Sequence, residues 1–240
     1  MILIVGEDQD ALLYLRNRLN LAREENINDY LHAAVGTLGE EKVAVSCVGI
    51  GLSLVGINTA TLLSVYDPYL VINIGCVASI KGTLHQGDIF IPERYYVEGI
   101  DYSGDGKTIS GQLPGLPPFF LTEPSLAEKA ESIGYELGGK FIERASLLSG
   151  DMRLLDEPEY QQKLKMRYAG YSRLTCYDNS SYGVALACYL RKTSLLSIKA
   201  VNYEANAVSE RLNFRRKGLE AMPFIGRLVA GLLLNLSKGR

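Results

Sequence analysis

The chain has 240 residues, a formal net charge of −2 and 22% charged residues. This length suits one α/β domain with a sizeable core, and the near-neutral charge excludes the basic footprint of nucleic-acid-binding proteins. The four cysteines show no CxxC spacing. We therefore expect reduced thiols in a cytoplasmic protein, and no disulfide framework.

The chain begins with the apolar segment Met1–Val5, which is followed at once by Gly6 and by acidic residues. A signal peptide would carry a basic segment and a longer apolar core, so the first five residues are predicted to form a buried strand. No uninterrupted apolar run reaches the roughly 18 residues that span a bilayer, and we expect no membrane partner.

Apolar segments of strand length alternate along the chain with segments of helical period. We predict strands at Met1–Val5, Val43–Val48, Tyr69–Ile74, Ile89–Ile91, Ala145–Leu148 and Leu195–Val201. We predict helices at Leu52–Val65 (largely buried), Ser125–Leu137, Ser180–Leu190 and after Pro223, where one apolar stripe is amphipathic. This alternation favours a mostly parallel sheet with helices on both faces, and no linker divides residues 1–240.

The segment Tyr69–Pro92 is the most informative one in the chain. It begins as an apolar strand, is predicted to break at Gly75 into a turn of small residues, and recovers as a second strand after Gly87. Strands that end in glycine turns present backbone N–H groups to ligands in α/β proteins. We therefore expect a ligand pocket at Cys76 and Val77.

Other local patterns exclude common sites. The glycines after the Val43 strand do not fit GxGxxG, and no Walker lysine or GxSxG motif occurs. His32 and His85 lie in unrelated segments, so we expect neither a metal site nor a cofactor. The proline-rich segment Gly111–Phe120 is neither helix nor central strand, and it is either a surface loop or a packing arm.

Six features occur in order along nearly the whole chain. They are an IVG start, VGIG after the Val43 strand, VINIG with TLHQGDI, the GQLPGLP loop, LLSGD at Leu147–Asp151, and a final strand-then-helix unit. Together they resemble the nucleoside phosphorylase and nucleosidase superfamily, and within it the bacterial methylthioadenosine/S-adenosylhomocysteine nucleosidases.

The resemblance implies a single nucleoside-phosphorylase-like domain with a mixed, mostly parallel and partly barrel-like sheet flanked by helices. It also implies a nucleoside or nucleobase ligand and a homodimer. In that family the GQLPGLP loop walls the partner's pocket for the 5′-substituent, a role that falls here on Leu113, Pro114 and Pro117. A proline-stiffened arm makes such a contact at low entropic cost.

The family cleaves the bond between ribose and purine through an oxocarbenium-like transition state, and the matching catalytic positions are changed here. The water-activating Glu of the first helix is matched by Ala11, with Asp10 one residue away. The general-acid Asp is matched by Tyr203 in the sequence Asn202–Glu204, and Glu204 is either a shifted acid or a solvated carboxylate.

The ribose-binding and base-binding positions are changed as well. The family's Met-Glu pair is matched by Asn179 and Ser180. Asp178, two residues before the matched Glu, is either a ribose ligand or a cap of the next helix. The residues after LLSGD are Met152 and Arg153, where the family has an aromatic side chain at the second position. Cys76 is a small buried replacement for serine.

The resemblance also indicates whether the protein is a hydrolase or a phosphorylase. Phosphorylases of the superfamily hold phosphate with arginines, one just before the glycine turn and one on the first loop. Asn73 stands at the first place, and residues 6–11 contain no Arg or Lys. An oxyanion without a cationic partner is poorly held.

The sequence therefore predicts a nucleosidase-like protein that hydrolyses a purine N-ribosidic bond weakly or on an altered substrate, with Glu204 and Asp10 as candidate catalytic residues. The alternative is a catalytically inactive nucleoside- or base-binding protein, and a structural dimer with a filled pocket is a third hypothesis. The candidate substrate-binding residues are Cys76, Val77, Met152, Arg153, Asp178, Asn179, Ser180, Asn202 and Tyr203.

Overall fold

A computed structural model of the chain describes residues 1–80, 83–139, 141–152, 158–204 and 218–238. Strands and helices alternate over most of this length. The strands are β1 (Ile2–Gly6), β2 (Asn20–Asn28), β3 (Leu31–Leu38), β4 (Glu41–Cys47), β5 (Leu70–Ser79), β6 (Ile89–Val97), β7 (Phe120–Leu121), β8 (Ile142–Ser149), β9 (Leu174–Asp178) and β10 (Ser194–Glu204). The α-helices are α1 (Gln9–Arg16), α2 (Leu52–Tyr66), α3 (Pro124–Glu136), α4 (Pro158–Arg167), α5 (Ser181–Arg191) and α6 (Met222–Lys238).

The strands form one mixed sheet that partly closes into a barrel. The order is β10-β6-β8-β9-β5-β1-β4-β3-β2, with an additional pairing of β10 to β5 and a short β7 beside β6. The pairs β1–β4, β1–β5, β5–β10, β6–β8 and β8–β9 are parallel. The predicted mixed, partly barrel-like α/β fold with flanking helices is confirmed.

Two apolar layers cover the sheet, and alternation along β1 shows how one strand serves both. Ile2 and Ile4 belong to the layer packed under α1, α3 and α6, whereas Leu3 and Val5 belong to the layer under α2 and α5. Because successive side chains of a strand point to opposite faces, a strand buried on both faces is apolar throughout. This is why the short run at the start of the chain was recognisable as a strand.

Strand β5 differs from its predicted form. The break expected at Gly75 is wrong, because the strand continues through this residue to Ser79. Gly75 has φ +152°, a backbone conformation that favours glycine, and the second half of β5 keeps its ladder with β10 and meets β9 at Ala78 and Ser79. Pairing on both sides therefore extends the strand beyond the point where local sequence signals its end.

Helix α2 is also less buried than predicted. Val55, Leu62 and Leu63 are in the core, but Ile57 is 66% exposed and Val65 is 51% exposed. The helix is apolar around most of its circumference, so its sequence does not indicate which face meets the sheet. An exposed apolar face consequently remains beside α5.

Two further elements lacked a clear sequence signal. Strand β2 is exposed over most of its length and is rich in charged side chains, so it shows no apolar alternation, and it joins the sheet through its antiparallel pairing with β3. Helix α4 is polar and has no strong apolar stripe. Pairing with a neighbour, rather than local pattern, defines β2.

The last helical segment of the described chain, Gly218–Ser237, is by length and composition apolar enough to cross a membrane. Glu220 and Arg227 interrupt this segment, so it is not the uninterrupted apolar run of roughly 18 residues whose absence the sequence predicts. Its apolar stripe is packed on the sheet in the first core layer: Ile225, Leu228, Val229, Leu232 and Leu233. A buried core helix passes the same test as a membrane span, because both are rich in Leu, Ile and Val.

The close approach of α2 and α5 requires glycine. A Cβ atom at Gly183 would lie 2.7 Å from the Leu52 carbonyl oxygen and 3.0 Å from the Gly56 nitrogen. We predict that Gly183→Ala lowers the free energy of unfolding by about 1–3 kcal/mol, because the overpacking exceeds the gain in helix propensity. Urea denaturation measures this value.

Gly104→Ala is the matched control, since a Cβ atom there meets no heavy atom within 4 Å and the residue has no positive φ. We expect this variant to stay within about 0.5 kcal/mol of the unsubstituted protein. Equal stability of the two variants would show that the α2–α5 contact tolerates a methyl group.

Candidate active site

A cavity of about 480 Å³ lies where the carboxyl ends of several strands meet. Its volume falls in the range of roughly 300–1,000 Å³ that small-molecule sites occupy. Residues from the ends of β1, β5, β9 and β10 and from the segments that follow β4 and β8 surround it. The lining comprises Glu7, Asp8, Ile50, Gly51, Cys76, Val77, Ala78, Asp151, Tyr177, Asp178, Asn179, Asn202, Tyr203 and Leu219.

Six candidate substrate-binding residues line this one cavity. They are Cys76, Val77, Asp178, Asn179, Asn202 and Tyr203. Three separate strand ends contribute them, so only the folded sheet brings them together. The pocket expected at Cys76 and Val77 therefore exists, although β5 passes through it as a strand rather than ending there.

The lining does not include three further candidates, Asp10, Ser180 and Met152. Asp10 is in the first turn of α1, exposed and outside the lining, and Ser180 is 2% exposed behind Asp178. Met152 is 49% exposed, and its carbonyl accepts a hydrogen bond from Asn179 Nδ2 at 3.0 Å. Arg153 lies outside the described residues. Glu204 ends β10 beside Ser79, and its side chain also lies outside the description.

The GQLPGLP loop takes no part in the lining of this cavity. Leu113 and Pro117 are partly buried, and Pro114 is exposed. The loop forms no regular element before Phe120, where the chain joins β6 as an edge strand. Pro117 instead lines a second cavity, between the β7 segment and α5.

The lining of the first cavity is acidic. Four acidic residues are among the lining, Glu7, Asp8, Asp151 and Asp178, and no Lys or Arg lies among the lining residues of the described chain. No group of three or more His, Cys, Asp or Glu side chains suited to a metal ion occurs in the described parts of the chain. The part of the wall that the structure describes is therefore acidic and contains no Lys or Arg.

Three of these carboxylates cap helices whose first turns point towards the cavity. Asp8 Oδ1 accepts the Ala11 N–H of α1 at 2.8 Å, and Asp151 Oδ1 accepts the Leu52 N–H of α2 at 2.8 Å. Asp178 Oδ1 accepts the Ser181 N–H of α5 at 3.2 Å. Capping uses N–H groups that a helix cannot satisfy internally, and the positive end of each helix dipole offsets the carboxylate charge.

Asp178 has further partners inside the protein. It accepts hydrogen bonds from the hydroxyl groups of Ser149 at 2.6 Å and Ser181 at 2.5 Å, and Lys199 Nζ lies 3.7 Å from Oδ2. These contacts fit the helix-capping interpretation of Asp178, and the ribose-ligand interpretation stays a prediction. The carboxylate is 2% exposed, so much of its hydrogen-bonding capacity is used within the fold.

Asn73, at the position where phosphorylases have an arginine, is buried away from the cavity. It is 1% exposed, and its Nδ2 donates to Ser181 Oγ at 3.0 Å and to Ser197 Oγ at 3.2 Å. Its Oδ1 accepts from Lys199 Nζ at 3.3 Å. Asn73 thus joins the buried ion pair of Lys199 and Asp178 to the serines of β10 and α5, and a buried charge of this kind requires such partners.

Cys76 and Asn202 shape the floor of the cavity. Burial raises the pKa of the Cys76 thiol, with Glu7 adding to the effect, so this residue stays a thiol, as expected for a small replacement of serine. Asn202 occupies a register shift of β10 between Val201 and Tyr203, and its Oδ1 accepts the Gly218 N–H at 3.0 Å. Such a bulge redirects side chains near a site.

Glu7 is one of the lining residues that the sequence did not single out. It follows β1 directly, it is partly buried, and its Oε1 accepts the Cys76 N–H at 2.9 Å. A Cβ atom at Gly75 would lie 3.0 Å from the Glu7 Cδ atom, so glycine leaves room for the carboxylate. The available signal was its position as the first residue after a parallel strand.

Burial raises the pKa of Glu7 to about 7. Lys199 and the Cys76 N–H act in the opposite direction, whereas Asp178 and Asp8 add to the rise. Glu7 consequently exchanges a proton near neutral pH. A carboxyl group with such a pKa in a cleft is typical of acid–base sites.

Comparison with known proteins places the chain in a family. A model described as "Phosphorylase superfamily" matches residues 1–233. The chain belongs to this superfamily. The match spans β1 to α6, so it includes every strand that contributes to the cavity.

Relatives of this superfamily member include nucleosidases. The 5′-methylthioadenosine/S-adenosylhomocysteine nucleosidase of Staphylococcus epidermidis is 27% identical over 212 residues, which cover 88% of this chain and 89% of that protein. The crystal structure of the corresponding enzyme from Neisseria meningitidis, in complex with methylthio-immucillin-A, matches with a TM-score of 0.88 at 20% identity over 98% of each chain.

The futalosine hydrolase of Helicobacter pylori matches with a TM-score of 0.85 at 14% identity, over 98% of this chain and 97% of that one. At such identities the two structural matches establish the shared fold. The predicted membership of the nucleoside phosphorylase and nucleosidase superfamily is confirmed, and the similar proteins include methylthioadenosine/S-adenosylhomocysteine nucleosidases.

The shifted pKa of Glu7 makes stability depend on pH. Between pH 4.5 and about 7 the folded chain holds a proton that the unfolded chain has released, so stability falls as the pH rises through this window. We predict that Glu7→Gln is more stable than the unsubstituted protein at pH 8, by about 1–3 kcal/mol, and equally stable near pH 4.5. Urea denaturation at pH 4.5, 6 and 8 measures the difference.

Glu136→Gln provides the control, because Glu136 is an exposed carboxylate at the end of α3, outside the cavity lining. Its effect should be small and independent of pH. A Glu7→Gln protein that is less stable at pH 8 would mean that the ionised carboxylate stabilises the fold, contrary to the burial argument.

Proposed function

We propose that the chain binds a purine nucleoside in the first cavity and hydrolyses its N-ribosidic bond, weakly or on an altered substrate. The observation that supports this most directly is a cavity lined by four acidic residues and, among the described residues, by no Lys or Arg. Cleavage of such a bond develops positive charge on the ribose ring, as in glycoside hydrolysis. Fixed negative groups favour that charge.

The same charges argue against a phosphorylase. A phosphate co-substrate would approach Glu7 and Asp8 with no Lys or Arg among the described lining residues, and like charges at short range are unfavourable. Lys199, the nearest buried cation of the described site, already contacts Asp178 and Asn73. Water therefore suits this cavity better than phosphate as the attacking group.

The named relatives support the substrate class. One is a nucleosidase of methylthioadenosine and adenosylhomocysteine, and a structural neighbour is a futalosine hydrolase. The Neisseria meningitidis structure holds methylthio-immucillin-A, and a related structure from Borrelia burgdorferi holds adenine. We extend nucleoside or nucleobase binding from these proteins to this chain.

A second candidate function is binding without catalysis. It is favoured by Asp178 and Asn179, whose side chains are hydrogen-bonded within the protein, and by Ala11 at the place of the family's water-activating Glu. Removing one acid–base group typically lowers a rate by about 10²–10⁴. Three changed positions therefore predict slow turnover on the family's usual substrates.

Incubation with methylthioadenosine, adenosylhomocysteine, adenosine, inosine and futalosine distinguishes the two functions. We expect free base to be released from at least one of them, measured by chromatography, with no dependence on added phosphate. Release that requires phosphate would contradict hydrolysis. No release, with thermal stabilisation by adenine or a nucleoside, would favour binding alone, and the absence of both would contradict either function.

We also propose that the protein is a cytoplasmic homodimer whose GQLPGLP loop reaches the partner's pocket. Exposed apolar side chains on α2 and α5 support this, with Leu54 48%, Ile57 66% and Leu190 61% exposed. Ile50, 60% exposed, continues the surface to the cavity rim. Apolar groups of this size favour burial against a second copy. The free state of the four cysteines suits the cytoplasm.

Ile57→Glu tests the dimer. We predict about twice the chain mass for the unsubstituted protein in light scattering and a monomer for the variant, because a carboxylate in an apolar interface is costly. Leu234→Glu is the control: Leu234 is 50% exposed on α6, away from this surface. A monomeric unsubstituted protein, or a dimeric Ile57→Glu variant, would contradict the proposed interface.

A further inference from the structure

We infer that Glu7, and not Asp10, is the acid–base group that activates the attacking water in this cavity. The inference rests on the proposed hydrolysis. The family's water-activating position is matched by Ala11, so the motif gives this role to neither Glu7 nor Asp10. Glu7 lines the cavity beside the floor formed by Cys76 and Val77, whereas Asp10 is exposed outside the lining. A base must reach the proton that it accepts, so position decides between them.

The hydrogen bonds around the cavity support this choice. Asp8, Asp151 and Asp178 each accept an N–H at the start of a helix, so each has a capping role. Glu7 precedes the cap of α1, and the described contact of its carboxylate is the Cys76 N–H at 2.9 Å. One N–H leaves further acceptor positions on its two oxygens for a water molecule.

The backbone of β5 holds this carboxylate in place. Gly75 lacks the side-chain atom that would lie 3.0 Å from Glu7 Cδ, and the next residue donates the hydrogen bond. Glu7 directly follows β1, Cys76 lies on β5, and these two strands are paired in parallel. A group fixed by strands keeps the short-range geometry that proton transfer needs.

The charged and titratable groups facing Glu7 come from several elements. They are Asp8 after β1, Cys76 on β5, Asp178 at the end of β9 and Lys199 on β10, and Cys47 at the end of β4 donates to the Glu7 carbonyl at 3.6 Å. Burial in this setting gives Glu7 a pKa of about 7. The carboxylate and the acid are thus both populated at neutral pH, as a base that must regenerate requires.

The chemical step balances with water as the sole co-reactant. As the water oxygen bonds to the ribose anomeric carbon, the ionised Glu7 takes one water proton and the carbon–nitrogen bond breaks. The bonding pair leaves with the purine, which takes up one proton from solvent, and Glu7 returns its proton to solvent. The products are the free base and the ribose hemiacetal.

Glu7→Gln tests the inference, because the amide keeps the shape of the side chain but cannot accept the proton in this way. On the nucleoside that the unsubstituted protein hydrolyses, we expect kcat to fall by about 10²–10⁴ with KM changed much less. We also expect kcat/KM of the unsubstituted protein to rise with pH through about 7, and this dependence to disappear in the variant. Glu136→Gln should keep both rate and pH profile.

Each result decides between named alternatives. Hydrolysis that Glu7→Gln leaves intact, or that Asp10→Asn abolishes instead, would overturn the inference while the proposed function stands. No hydrolysis by the unsubstituted protein would overturn the proposed function, and the inference with it. Thermal stabilisation by adenine reports the binding site: we expect Glu7→Gln to retain it, and its loss together with activity would make Glu7 a binding group.

Glu7→Asp guards against a variant that fails for structural reasons. The shorter side chain keeps the carboxylate but withdraws it by one methylene from Cys76 and the cavity, so we expect intermediate kcat and a retained pH dependence. A rate equal to that of Glu7→Gln, without any pH limb near 7, would indicate a structural role for Glu7 and overturn the inference.

Discussion

Strand β5 pairs with β10 over its whole length and with β1 over its first half, and its last residues meet β9. This threefold pairing joins the open part of the sheet to the part that closes as a barrel. It also sets the carboxyl ends of β1, β5, β9 and β10 around one space, where the cavity forms. Gly75 lets β5 pass close to Glu7, because it has no Cβ atom, which would lie 3.0 Å from Glu7 Cδ. Its φ of +152° is also a backbone conformation that favours glycine.

The gathering of strand ends has an electrostatic consequence. Four carboxylates converge, and their repulsion must be offset within the fold. The N-termini of α1, α2 and α5 do this for three of them, and the buried Lys199 lies 3.7 Å from Asp178. Glu7 caps none of the described helices, and burial raises its pKa to about 7. The meeting of strand ends that forms the cavity therefore also places Glu7, on which the proposed hydrolysis depends.

This distribution of charge supports the proposed hydrolysis over a reaction with phosphate. Asn73 is not a weakened phosphate ligand at the cavity wall but the centre of a buried polar network that includes Ser181, Ser197 and Lys199. Lys199 is directed to Asp178 inside the protein, and the lining residues that the structure describes are acidic without a Lys or Arg. A site of this kind favours a cationic transition state and water over an anionic co-substrate.

The sequence by itself determined the superfamily, the main strands, the position of the pocket at Cys76 and Val77, and six of the lining residues. These follow from apolar runs, glycine positions and ordered motifs, which are local. Tertiary structure alone decided that β5 continues past Gly75, that β2 joins the sheet, that α2 exposes Ile57, and that Glu7 rather than Asp10 lies in the cavity. Each depends on a partner distant in sequence: a paired strand, a packed helix, or the Cys76 N–H that Glu7 meets 69 residues away. Contacts between residues so far apart in sequence produce no periodic pattern in the chain. They can therefore be identified only from the assembled sheet.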